Sequence, residues 1–181
     1  AESRAFLSQQ IQQESVSSIF VNHPEPPTQT YGVDSFNLKS IMKGGPEPAH
    51  MLTSQMLQAA ARCLSKKSNS RLIIVTDNKS YGRLICATLV KVMMHDSTLL
   101  FPVELEDDFK AVESFPVGNE PAGQDGLVGT ITLYEGQPNG KIGHPKPVDD
   151  SGGKGATYFD RLWRSGAGSH AEKSSRFIVV A

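Results

Sequence analysis

Apolar and polar positions follow two different periods along this chain, and the switches between them mark out its elements. The clearest stretch is Arg71-Leu-Ile-Ile-Val-Thr-Asp-Asn-Lys-Ser-Tyr-Gly-Arg83. Leu72 to Val75 are consecutively apolar, which suits a strand covered on both faces, as in a parallel sheet. Asp77 or Asn78 is placed to cap the helix that follows, whose N-terminus then faces the carboxyl end of the sheet. In open α/β sheets ligands bind at that end, so a site is expected there before any motif is named.

The same pattern organises the rest. Residues 3–14 predict a short helix with Phe6, Leu7 and Ile11 on one side, and Val16 to Val21 predicts a strand. That strand is stopped by Asn22-His23-Pro24-Glu25-Pro26-Pro27, because prolines so close together can neither extend a ladder nor enter a helix interior. Thr28 to Pro48 reads as loop. From Ala49 to Leu64 the positions Leu52, Met56, Ala59, Ala60 and Cys63 keep the helical period. A second helix, Ser80 to about His95, is apolar nearly all round and must be well buried. Glu104 to Glu113 holds an acidic cluster, read as a solvated face. Leu127 to Tyr134 alternates as a strand does. Gly136 to Gly155 is a long Gly/Pro-rich loop, and Phe177 to Val180 forms a last strand. The expected class is α/β: a parallel sheet finished by an antiparallel hairpin.

Composition adds limits. The chain has 181 residues, 38% apolar and 20% charged, with a net charge of −1; that suits one domain and supplies no global drive toward nucleic acid. Lys39, Lys43, Lys66, Lys67, Arg161 and Arg164, the basic residues available for phosphates, are scattered. Cys63 and Cys86 fall on apolar helix faces and read as buried, reduced thiols of an intracellular protein, cytoplasmic or nuclear. No apolar run approaches the ~20 residues that cross a bilayer, so no membrane partner is expected. His50, His95, His144 and His170 have no ligand spacing with the cysteines, and no metal is expected. Ala1 has no preceding Met, and Ala5 to Ile11 already resembles the middle of a helix, as though the chain began inside a domain.

Three segments carry a family likeness. Ile19-Phe-Val-Asn-His-Pro-Glu-Pro-Pro27 resembles a strand ending in Phe-Pro-Asp-Pro-Trp-Pro-Lys-Lys. Met51 to Tyr81 resembles a helix, a turn and a strand ending in Thr-Asp with a nearby tyrosine. Thr157-Tyr-Phe-Asp-Arg161 resembles a Thr-x-Phe-Glu motif before a final strand. In this order they are similar to the C-terminal half of the tRNA (guanine-N7)-methyltransferase family, class I enzymes dependent on S-adenosylmethionine.

The resemblance implies a partial Rossmann-like sheet in which Phe177 to Val180 lies antiparallel between Leu72–Val75 and the 127–134 strand. It implies S-adenosylmethionine as cofactor and tRNA as partner. It also implies catalytic roles for Asp77, Asp160 and Glu25, and binding roles for His23, Thr76, Thr157, Tyr81 and Arg161. The departures from the family matter too. His23 stands where the family has aspartate, Glu25 where it has tryptophan, and Pro27-Thr28 where it has lysines. The glycine-rich loop that holds the cofactor has no counterpart, which points to a missing N-terminal segment or a protein partner that completes the sheet. A non-catalytic RNA-binding or assembly protein derived from the same fold is the alternative.

Overall fold

The computed structural model describes residues 2–24, 26–27, 36–105, 109–118, 129–136 and 176–181. Its elements, in chain order, are α1 (Glu2–Gln10), β1 (Ser18–Asn22), α2 (Leu38–Met42), α3 (Ser54–Cys63), β2 (Arg71–Thr76), α4 (Lys79–His95), β3 (Lys110–Val117), β4 (Gly129–Glu135) and β5 (Phe177–Val180). The strands make one mixed sheet in the order β1-β2-β5-β4-β3. β1 runs parallel to β2, with Phe20 opposite Ile73. β5 is antiparallel to both neighbours, pairing Val75 with Ile178 on one side and Tyr134 with Ile178 on the other. The expected insertion of the last strand between β2 and β4 is what the sheet shows.

The unbroken apolar run of β2 has the predicted cause. Leu72 and Ile74 point into a core shared with α2, α3 and α4, while Ile73 and Val75 join Phe109, Tyr134, Ile178 and Val180 in a second cluster on the other face. α4 approaches closely because Gly82 has no side chain: a Cβ there would lie 2.8 Å from Leu133 Cδ1. Both cysteines are buried, as read from their helix faces; burial pushes both thiols up, that of Cys86 further, with the charge of Glu113 adding to it.

Four expectations need correction. The first helix ends at Gln10 rather than 14, where Glu14 adopts a φ of 57°, and Phe6 on it is 57% exposed. The 49–64 helix starts only at Ser54, because the Thr53 hydroxyl caps it by accepting from Met56 N. The loop 28–48 contains the short α2, capped by Asn37 and anchored by buried Ile41. The acidic stretch ending at Glu113 runs into a strand, β3, which the proline and the charges disguise. β3 is an edge strand, where Pro116 is tolerated, and Glu113 is held by Arg83 of α4 in a two-point ion pair of 2.8 and 3.2 Å.

Candidate functional site

β1 and β2 end side by side, and their carboxyl edge is built from the residues just beyond them. His23 N donates to Val75 O at 2.7 Å, so the ladder runs one residue past β1. His23 itself has a φ of 48°, a left-handed conformation uncommon for a side-chain-bearing residue, though less so for histidine. Across from it, Thr76 is buried and its hydroxyl accepts from Asn78 N at 3.2 Å. Asn78, not Asp77, is the N-cap of α4, its side chain accepting from Tyr81 N at 2.9 Å. Asp77 is thereby left exposed between a buried threonine and a capping asparagine.

Tyr81, on the first turn of α4, is fully buried. Its hydroxyl lies 3.4 Å from His50 Nδ1, with the rings edge to face at 86°. Burial, partly offset by the Leu52 backbone, pushes the phenol up to about 12. Behind it, His50 Nε2 is 3.7 Å from Glu47 Oε2, which accepts from Ser54 N at 2.8 Å at the start of α3. Glu47 Oε1 accepts from Lys91 Nζ at 2.6 Å, and Lys91 also donates to Gly45 O at 2.9 Å. Burial works to raise the Glu47 carboxyl, yet the neighbouring His50 ring and the bonds from Lys91 and Ser54 outweigh it and hold the group well below the usual carboxylate range.

Chemically, this chain of groups is a clamp rather than an acid–base pair. A phenol at about 12 stays protonated at neutral pH, and a carboxylate held this low is a poor proton acceptor. What the cluster does is tie the 45–54 segment to α3 and α4 beneath the carboxyl edge. Neither Glu47 nor Lys91 stood out in the sequence, since each acquires its partner only through contacts tens of residues away. His50 shows no pattern in the sequence that points to Tyr81, 31 residues away.

Of the residues singled out from sequence, the fold brings His23, Thr76, Asp77 and Tyr81 to one edge. Only Asp77 among these four is exposed; the Thr76 hydroxyl and the Tyr81 ring are committed to internal contacts. Glu25, Thr157, Asp160 and Arg161 lie outside the described residues. No known protein family, curated protein or solved structure matches the chain. No helix among the described residues is long and apolar enough to cross a membrane.

Proposed function

We propose that this chain supplies the C-terminal part of a class I S-adenosylmethionine-dependent methyltransferase fold, acting on N7 of guanine in tRNA. Support comes above all from one observation: the strand formed last in sequence inserts antiparallel between β2 and β4, beside a parallel β1–β2 pair. Chain order alone would have placed it at an edge. β3 is an addition beyond the pattern, on the outer edge of β4.

Guanine N7 carries an in-plane lone pair and no proton, so methyl transfer needs positioning more than a base. An edge with no activated base among its described residues is compatible with that chemistry. S-adenosylmethionine would supply the methyl group. The exposed carboxylate of Asp77, at the carboxyl end of β2, would accept the N–H donors of the guanine and oppose the positive charge that grows on the purine. Thr157, Asp160, Arg161 and Glu25 are the further residues that the family likeness assigns to this site. The non-catalytic RNA-binding reading draws on His23, which puts an imidazole and a left-handed backbone where the family has aspartate.

The native gene product, incubated with radiolabelled S-adenosylmethionine and unmodified tRNA, should yield 7-methylguanosine. Asp77→Asn and Asp160→Asn should each lower the yield at least ~10-fold, equivalent to about 1.4 kcal/mol of barrier. Retention of tRNA with neither cofactor binding nor methyl incorporation would establish the non-catalytic reading instead.

A further inference from the structure

The scattered basic residues are partly gathered by the fold. α2 buries Ile41 and packs Leu38 and Met42 against the core, which leaves Lys39 and Lys43 exposed. α4 buries Val92 and Met93 and leaves Met94 and His95 exposed. Lys39, Lys43, Lys91, His95 and Met94 line one groove of about 950 Å³, together with Gln58 of α3. Among the described residues no carboxylate lines it. Lys91 is engaged by Glu47, whereas Lys39 and Lys43 meet no carboxylate among the described residues.

This combination selects among anions. The groove reaches the upper end of the ~300–1,000 Å³ typical of ligand sites, far more than one phosphate needs. Lys39 on α2 and Lys43 at its C-cap lie one turn apart, Lys43 N donating to Lys39 O at 3.3 Å, a spacing of about 5–6 Å between Cβ atoms, so two ammonium groups can reach successive phosphates of one strand. The Met94 thioether offers a polarisable surface to an aromatic base, and the Gln58 amide can both donate to and accept from a base edge. An acidic peptide would match the charge but would gain most by adding to a sheet edge, and the nearby edge strand β3 carries Pro116, which has no N–H to offer.

We propose that this groove binds single-stranded RNA, with Lys39 and Lys43 on its phosphates and a base against Met94. RNA as the ligand rests on the function proposed above; the groove and its test require no methyl transfer. Anisotropy of a short labelled single-stranded RNA is measured on the full chain across a salt series. Lys39→Gln/Lys43→Gln should weaken binding at least ~10-fold and flatten the slope of log K against log salt by about 1.4, at about 0.7 per phosphate contact. Met94→Ala should weaken binding with the slope unchanged. Lys66→Gln/Lys67→Gln, in a separate pocket beside Ser65 and Ser70, should change neither. Unchanged affinity and slope in the Lys39/Lys43 variant, or tighter binding of an acidic peptide than of RNA, would overturn the proposal. RNA held by this groove in a protein that methylates nothing would sink the enzymatic reading alone; methylation with an intact-affinity Lys39/Lys43 variant would sink this one alone.

Discussion

Replacing Glu47 by Ala removes the one group that joins the 45–54 segment to both α3 and α4. The side chain is 8% exposed and its partner Lys91 22%, so the pair is mostly, not wholly, out of water. Breaking a fully buried pair costs about 3–5 kcal/mol, and an orphaned buried N–H such as that of Ser54 about 1–3 kcal/mol. Lys91 can swing its ammonium toward the groove, and water can reach Ser54, so we expect about 2–3 kcal/mol in total. In a chain of this size that lowers the melting temperature by about 5–10 °C. Glu47→Gln keeps an oxygen for Ser54 N and should cost about half as much.

The pH dependence has a definite sign. A carboxyl depressed in the folded state stabilises it above the unfolded value of about 4.3, and that contribution is lost as pH falls below it. The gap between wild type and Glu47→Gln should therefore close on acidification below about pH 4. Urea unfolding of both proteins, with Lys91→Met and the double variant, gives the coupling energy directly. Additive losses with no coupling, or a gap that stays constant from neutral to acid pH, would refute the role assigned to this pair.

Asn78→Ala should destabilise the fold by about 1 kcal/mol through loss of the α4 cap, whereas Asp77→Ala should change stability by less than about 0.5 kcal/mol; thermal melts of the two variants decide which residue caps. In a spectrophotometric titration Tyr81 should ionise only near pH 12. Because its folded value is raised, stability should fall as pH rises above about 10, and Tyr81→Phe should remove that loss. Cys63 and Cys86 should resist a thiol reagent at mildly alkaline pH until denaturant is added; prompt labelling of Cys86 in the native protein would contradict its burial in α4.

The local period of the chain by itself determined which segments could be strands or long helices. Leu72 to Val75 could be read because four apolar residues in a row have few uses other than a strand buried on both faces. α4 was legible for a similar reason, being apolar around most of its circumference. The family likeness then gave the place of β5, which periodicity could not.

What stayed hidden depends on partners distant in sequence. β3 carries lysine, glutamate and proline, and only an edge position beside β4, with Arg83 to hold Glu113, makes it a strand. The choice of Asn78 over Asp77 as cap turned on which side chain reached Tyr81 N. Lys39 and Lys91 are more than fifty residues apart and became neighbours when α2 packed on α4. Glu47 is an ordinary loop carboxylate in the sequence; folding withdraws it from water, which works against its charge, and places it between Lys91 and the start of α3, whose bonds, which no local pattern encodes, keep it ionised there.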